Sequence, residues 1–271
     1  MYRLRVALSL ALLFGAAPGV GAEPQAATAT SERNAKEILG RAFSARHDCD
    51  TAARLTVTMW GRGGEQRVRE LELLTLDIEG RLHALARLEA PASLRGMAVL
   101  IVENRGKADD TWVYLPSLRR ARRISSHRRG DAFLGSDLVY ADFERHRLEE
   151  YEVVGSAPAR LEGEPALRIE TRPLESAIYE RVDFWVAEAD AAILRTDDYQ
   201  RGDPNPVRVL RMPRAAMHAE GRFRVPQTIQ VEHTRRRTRT AVTTRALEVD
   251  PELDPGRFTV RTLSRDRLRS P

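Results

Sequence analysis

Two short stretches of the sequence carry residue types that can do chemistry. His47-Asp48-Cys49-Asp50 has the residue types of a metal site, but four adjacent side chains at a helix end do not readily converge on one ion, so we expect no metal there. Cys49 is the only cysteine, and nothing near it argues for the lowered pKa that a nucleophilic thiol needs. Gly135-Ser136-Asp137 is either a nucleophile with its acid or, as we favour, the start of a helix capped by Ser136 or Asp137.

The rest of the chain lacks the motifs of well-known catalytic sites. It has no GxSxG, HExxH or GxxxxGKS/T motif and no pair of CxxC motifs, so the commonest hydrolase, metalloprotease, nucleotide-binding and zinc-binding patterns are missing. The histidines are scattered at positions 47, 83, 127, 146, 218 and 233. We therefore expect that the protein is not an enzyme and uses no cofactor.

The amino-terminal sequence has the three parts of a secretory signal. Arg3 and Arg5 precede an apolar run from Val6 to Ala17, and Val20-Gly21-Ala22 offers small residues for cleavage. The run of about 12 residues is short of the ~20 that a membrane-spanning helix needs. The pattern predicts a signal peptide over residues 1–22, cleaved near Ala22, and an exported protein that does not itself span the membrane.

The charge balance argues against a nucleic-acid partner. The sequence has 44 basic and 39 acidic side chains, and loss of Arg3 and Arg5 with the signal peptide brings the two closer to balance. Nearly every cation is an arginine, so the clusters Arg119–Arg129 and Arg235–Arg239 do not by themselves identify a binding partner. We interpret the second cluster as a hairpin loop.

The hydrophobic periodicity predicts one helix followed by many strands. An apolar stripe at three- and four-residue spacing predicts an amphipathic helix from Ser31, its cap, to about His47. From Arg54 onward the period changes to two and turn residues recur at hairpin spacing, so we expect about ten or eleven mostly antiparallel strands. The alternation slips at Leu73-Leu74, which predicts a bulge. The helical stripe consists of Ala35, Ile38, Leu39, Ala42 and Phe43.

These elements favour a mainly β (α+β) fold in one domain of residues 23–271. A curved antiparallel sheet of about ten or eleven strands cannot bury both faces while flat, so it should form an incomplete barrel. The amino-terminal helix and a short second helix near Ser136–Arg145 would close the concave side. Such an interior is either filled by side chains or left as a lipid-sized cavity, and periodicity alone favours neither.

One region has a more specific pattern. It consists of Trp112–Ile124, which reads WVYLPSLRRARRI, and Phe133–Asp137, which reads FLGSD, followed by Tyr140 and Asp142. In these residues the chain resembles the bacterial outer-membrane lipoprotein-sorting proteins of the LolA-like superfamily. The resemblance implies an incomplete barrel, closed by helices over an apolar cavity that carries acyl chains across the periplasm. It also implies a periplasmic location and an inner-membrane transporter of the resistance-nodulation-division (RND) type as a partner.

The arginines of this region suggest where a head group would lie. If Leu118–Ile124 is a strand, Arg120 and Arg122 share a face with Leu118 and Ile124. This arrangement suits a cavity rim that admits an acyl chain and keeps an anionic head group outside. The alternative is that these arginines pair with surface carboxylates. We expect the acyl cavity to be lined by Ile38, Leu39, Phe43, Trp112, Tyr114, Phe133, Tyr140 and Phe143.

Three function classes follow from these observations. The first is a periplasmic carrier, or chaperone, that binds the acyl chains of a lipid or lipoprotein and hands its cargo on in outer-membrane trafficking. The second is an accessory periplasmic subunit docked on an RND-type exporter without cargo of its own, and the third is an enzyme whose site the sequence does not reveal. We favour the carrier, and the sequence leaves its cargo and its acceptor open.

Overall fold

The computed structural model describes residues 23–174 and 178–264, so the predicted signal peptide lies outside the described residues. Within them, one α-helix, α1 (Glu23–His47), is followed by strands and short 3-10 turns. The strands are β1 Thr51–Trp60, β2 Gln66–Ile78, β3 Arg81–Ala90, β4 Ala98–Val102, β5 Asp110–Leu115, β6 Arg120–Ile124, β7 Tyr151–Leu161, β8 Glu164–Pro173, β9 Arg181–Ala187, β10 Ile193–Tyr199, β11 Arg208–Arg211, β12 Met217–Glu220, β13 Phe223–Pro226, β14 Thr228–His233 and β15 Thr238–Val249.

A single antiparallel sheet dominates the described structure. Thirteen strands pair in the order β6-β5-β4-β3-β2-β1-β15-β14-β11-β10-β9-β8-β7, while β12 and β13 form a separate hairpin. Because β6 and β7 end the sheet and do not pair with each other, it does not close into a barrel. The mainly β, incomplete-barrel prediction is confirmed, but the predicted strand number is too low. Strands of four or five residues, such as β6, β11, β12 and β13, are too short to give a clear alternation.

The sheet is covered on both faces over part of its area. We call the face that carries Val57, Leu71 and Phe184 the inner face, and the face on which Leu74 packs against Phe258 the outer face. The predicted bulge at Leu73-Leu74 is wrong: the two residues pair in register with β1 and β3. They are both apolar because Leu73 packs on the inner face and Leu74 on the outer face, so neither face of β2 is left to water at this point of the strand.

Helix α1 covers the β7–β9 side of the inner face. The apolar stripe packs as the periodicity predicts, with Leu39 buried and Phe43 edge-to-face with Phe184 at a ring distance of 5.1 Å. The helix begins at Glu23 rather than at Ser31. Pro24 is tolerated in the first turn and the alanines that follow are the strongest helix formers, so the helix extends beyond its apolar stripe.

The predicted second helix, Ser136–Arg145, is wrong. The region instead contains short 3-10 turns, Phe133–Gly135 and Tyr140–Phe143, with extended residues between them. Tertiary hydrogen bonds hold it in this form, because the Asp137 carboxylate accepts the hydroxyls of Thr238 and Thr240 at 2.5 and 2.9 Å. Residues 129–147, here called the covering segment, thereby lie over the inner face beside β15.

Candidate functional site

A cavity of about 790 Å³ lies between the inner face of the sheet, the end of α1 and the covering segment. This volume is within the roughly 300–1,000 Å³ typical of small-molecule sites. The central strands supply an apolar wall through Val57, Leu71, Val182, Ile193, Ile229 and Val242. The covering segment adds Phe133, Leu138 and Phe143.

Charged residues of the cavity are concentrated in the covering segment and in the loop between β4 and β5. Arg129 forms an ion pair with Glu144, and Arg147 forms one with Glu103. Arg145 also lines the cavity, and it forms an ion pair at 2.8 Å with Asp77, which is not part of the cavity wall. These cations are therefore already neutralised by carboxylates of the protein.

A buried arginine connects the covering segment to the sheet. Arg208, on β11, is 2% exposed and donates to both oxygens of Asp142 at 2.9 Å and to the hydroxyl of Tyr179 at 2.7 Å. Its Nε also lies 3.5 Å from Asp198. Burial disfavours its charge, but Asp142 and Asp198 outweigh that effect and raise the pKa of Arg208. The pKa of Asp198 is raised to about 7 by burial, although Arg208 opposes the shift.

Two histidines stand at the end of the cavity nearest α1. His146 accepts or donates a hydrogen bond at Nδ1 with the hydroxyl of Tyr151 at 2.7 Å, and its ring lies 5.6 Å from that of His47. Burial, followed by the charge of Arg46, lowers the pKa of His146 to about 4 and that of His47 well below its ordinary value. Both imidazoles are therefore neutral at physiological pH.

The pKa values of some carboxyl groups in the cavity are raised. Burial raises the pKa of Asp109 to about 7, although its carboxylate accepts the N–H of Asn104 at 2.9 Å. Burial also raises the pKa of Glu144 against the opposing effect of Arg129. Asp109 is therefore only partly ionised at neutral pH.

Only part of the predicted acyl site lines this cavity. Phe133 and Phe143 do so, with their rings 4.5 Å apart. Tyr140 packs behind Phe133, edge-to-face at 5.8 Å. Ile38, Leu39 and Phe43 lie on the face of α1 that packs on the sheet. Phe43 contacts Phe184 and Tyr151, which line the cavity, so the three helix residues stand one layer behind the wall.

Trp112 and Tyr114 lie on the outer face, and their assignment to the cavity is corrected. Both pack in the cluster formed with Phe258 and Leu263 near the carboxyl terminus. Neighbouring residues of a strand point to opposite faces, and Val113 occupies the inner position between them. The sequence pattern of β5 did not indicate which of its two apolar faces is the inner one.

Arg120 and Arg122 lie on the edge strand β6, outside the cavity wall. They pair opposite Leu115 and Val113, so they share the inner side of the sheet with Ile124, as the alternation predicts. Leu118 instead belongs to a 3-10 turn, because Arg119 is left-handed at φ 46° and the strand begins after it. Both arginines are exposed, and neither forms an ion pair with any residue that the structure describes.

The charged residues of the cavity region, Arg46 and Arg208 among them, were not predicted from the sequence. Arg46 extends the helical stripe one step beyond Phe43, at a position where that stripe calls for an apolar residue. Arg208 stands between Val207 and Val209 at the start of β11, which reads RVLR. An arginine at a position of an apolar pattern was the available signal in both cases, because such a position tends to be removed from water.

The stretch around Cys49 has a structural role. Cys49 is a buried free thiol, and burial raises its pKa to about 11. The Asp50 carboxylate accepts the N–H of Asp77 at 2.7 Å, so it joins two strands. Residues 23–174 and 178–264 contain no group of three or more metal-ligating side chains arranged for an ion. None of the helices in these ranges combines the length and the apolar character needed to cross a membrane.

Comparison with known proteins identifies a family and a fold. A family model described as an uncharacterized protein matches residues 80–265. The chain is similar to a solved domain from Vibrio parahaemolyticus named for outer membrane lipoprotein sorting, with 22% identity, a TM-score of 0.80, and coverage of 86% of this chain and 100% of that one. No curated protein matches the sequence.

Two further solved structures share the fold. One is a DUF1329 family protein from Desulfovibrio piger, with 23% identity, a TM-score of 0.77, and coverage of 86% of this chain and 99% of the other. The second is a LolA superfamily protein from Nitrosomonas europaea, with 18% identity, a TM-score of 0.65, and coverage of 83% and 97%. At these identities the likeness shows that the chain has a LolA-like fold.

Proposed function

The chain belongs to the family of uncharacterized proteins whose model matches residues 80–265, and we propose that it is a periplasmic carrier for acyl chains. In this proposal it binds a lipid or the acyl chains of a lipoprotein and hands its cargo on in outer-membrane trafficking. The cavity of about 790 Å³ with an apolar wall is the observation that carries the proposal. The LolA-like fold supports it, as does the secretory pattern of residues 1–22.

The wall of the cavity suits a hydrocarbon chain. Val57, Ile229 and Val242 present aliphatic side chains from neighbouring strands, and Phe133 and Phe143 face them from the covering segment. Each methylene group that leaves water on binding contributes about 0.8 kcal/mol. Affinity should therefore rise with the length of the acyl chain until the cavity is full.

The cavity also favours the carrier over an accessory subunit of an RND-type exporter. An accessory subunit without cargo needs no empty interior, since a filled core is more stable than one that contains a void. A ligand-sized space therefore supports a protein that holds something inside. An RND-type transporter as the partner of this carrier stays a prediction from the sequence.

Two tryptophan substitutions on one strand test the carrier. Ile229 lines the cavity, whereas Gln230, the next residue of β14, is exposed. Ile229→Trp should fill part of the cavity and weaken binding of 11-(dansylamino)undecanoic acid, measured by fluorescence titration. Gln230→Trp, the matched control, should bind as the wild type does.

Organic extracts of natively purified wild-type protein should contain lipid by mass spectrometry, and less lipid should be found with Ile229→Trp.

Equal binding by the two tryptophan variants would contradict the assignment of this cavity as the acyl site. Absence of both probe binding and co-purifying lipid in the wild-type protein would contradict the carrier function itself.

A further inference from the structure

Arg46 is a charged residue of the cavity wall without a partner of its own. The other arginines of the wall are engaged: Arg129, Arg145 and Arg147 by carboxylates, and Arg105 by the carbonyl of Gly80 at 3.2 Å. Lys107, the remaining cation of the wall, is exposed to water. Arg46 has no ion pair or hydrogen bond with any residue in the described part of the chain. Both carboxylate oxygens of the nearby Asp142 already accept hydrogen bonds from Nη2 of Arg208.

The surroundings of Arg46 make an unpaired charge unfavourable. Burial lowers the pKa of Arg46 to about 10, with Asp142 opposing the shift, so the guanidinium keeps its charge at neutral pH. A cation that is partly removed from water without a partner is costly. An anion supplied by a ligand would remove that penalty.

A second polar group without a partner is adjacent. Nε2 of His47 is buried and makes no hydrogen bond, and His47 also lines the cavity. Buried polar atoms in proteins are nearly always hydrogen-bonded, so an exception calls for an explanation. A neutral imidazole that carries its proton on Nε2 is a hydrogen-bond donor, and an anionic oxygen is a suitable acceptor.

We propose that Arg46, together with His47, binds the anionic group of the carrier's ligand inside the cavity. The inference rests on the proposed carrier function and specifies the class of its ligand. The ligand is an amphiphile that has an acyl part and an anionic group, either a carboxylate or a phosphate. The head group then lies at the end of α1, and not at Arg120 and Arg122 on the edge of the sheet.

The position of Arg46 in the last turn of α1 has an alternative explanation. The carboxyl end of a helix favours cations, and this effect alone accounts for a basic residue there. It does not account for an arginine directed into the cavity, nor for the buried Nε2 of His47 without a partner. The two explanations differ in whether Arg46 affects ligand binding.

The test compares a charged probe with its uncharged analogue. We would titrate 11-(dansylamino)undecanoic acid and its methyl ester into the wild type, Arg46→Gln, Arg46→Lys and Arg41→Gln. Arg41 is the matched control, because it is an exposed arginine of the same helix that does not line the cavity. Circular dichroism and thermal melting check that each variant is folded.

Arg46→Gln should weaken binding of the acid about ten- to a hundredfold, the range expected for a charge-assisted hydrogen bond, and leave the ester nearly unchanged. Arg46→Lys should retain most of the affinity for the acid, and Arg41→Gln should change neither probe. The double variant Arg120→Gln/Arg122→Gln should also keep the preference for the acid.

Dodecyl phosphate should displace the acid probe if the site accepts phosphate as well as carboxylate head groups. Failure of dodecyl phosphate to displace the probe would restrict the ligand class to carboxylates.

Several outcomes would overturn the inference while leaving the carrier function intact. They are equal binding of acid and ester by the wild type, unchanged acid binding by Arg46→Gln, and loss of the acid preference in the Arg120/Arg122 double variant instead. Displacement of the probe by millimolar acetate or inorganic phosphate would show a site for small anions rather than for an amphiphile. Failure of the wild type to bind either probe would overturn the carrier function and this inference together. If Arg46→Gln does not fold, two other results test the inference: the wild type should bind the acid more tightly than the ester, and Arg46→Lys should retain most of the affinity for the acid.

Discussion

Replacing Arg208 by methionine is the most direct perturbation of the contact between the covering segment and the sheet. Methionine keeps much of the side-chain length and removes the charge. The substitution leaves Asp142 and Asp198 without their cation and Tyr179 without its hydrogen-bond donor. Asp198 is 5% exposed, so water cannot readily replace the lost partner.

Removal of one partner from a buried ion pair typically lowers the free energy of unfolding by about 3–5 kcal/mol. For a protein of this size, each kcal/mol lowers the melting temperature by about 2–4 °C, so we expect a decrease of roughly 6–20 °C at pH 8. Arg211→Met is the matched control on the same strand. Arg211 pairs with Glu232 at 3.2 Å with both side chains exposed, and such pairs contribute at most about 1 kcal/mol.

The pH dependence tests the cause of the destabilisation. Without Arg208, Asp198 loses the cation that opposes the rise of its pKa, so folding takes up a proton and the loss of stability grows as the pH rises from 5 to 8. Thermal and urea unfolding at both pH values measure this difference. The triple variant Arg208→Met/Asp142→Asn/Asp198→Asn should recover most of the stability at pH 8. A loss below about 1 kcal/mol at pH 8, or an equal loss at pH 5 and pH 8, would refute this reasoning.

Two further predictions concern titratable groups. The pKa of Asp109 is about 7 in the folded protein and ordinarily about 3.9 when unfolded, so its contribution to stability falls as the pH rises between those values. Asp109→Asn should therefore melt at the wild-type temperature near pH 4 and above it at pH 8, and a constant difference across this range would contradict the assignment. Cys49 is buried with a pKa of about 11, so iodoacetamide at pH 8 should label it about a hundredfold more slowly in folded than in urea-denatured protein. Equal labelling rates would show that the thiol is accessible.

Much of the fold could be predicted because its strands alternate clearly. In β1, Leu55, Val57 and Met59 all pack on the inner face, as their spacing indicates. The covering segment could not be predicted in the same way. Its conformation depends on hydrogen bonds from Asp137 to Thr238 and Thr240, which lie about a hundred residues away in the sequence and leave no local pattern.

The candidate site was predicted less completely than the fold. Of the aromatic residues predicted from the sequence, Phe133 and Phe143 line the cavity, whereas Tyr114 packs on the outer face, because a strand with two apolar faces gives no sign of which face is hollow. The polar part of the site was missed for a different reason. Arg46 lies at a position of the apolar stripe of α1 and Arg208 lies between two valines, whereas the arginine cluster of β6 lies at the sheet edge.

The two unpaired edges of the thirteen-stranded sheet bear on how the protein avoids self-association. An exposed edge offers free backbone N–H and C=O groups to a second copy, which makes it a template for aggregation. On β6 the residues at this edge are Arg120, Arg122 and Arg123, so two copies that met there would bring arginines together. On β7, at the opposite end, Pro158 has no N–H to offer. By mutual repulsion, the arginines of β6 thus disfavour pairing of two copies along this edge, a role that requires no ligand.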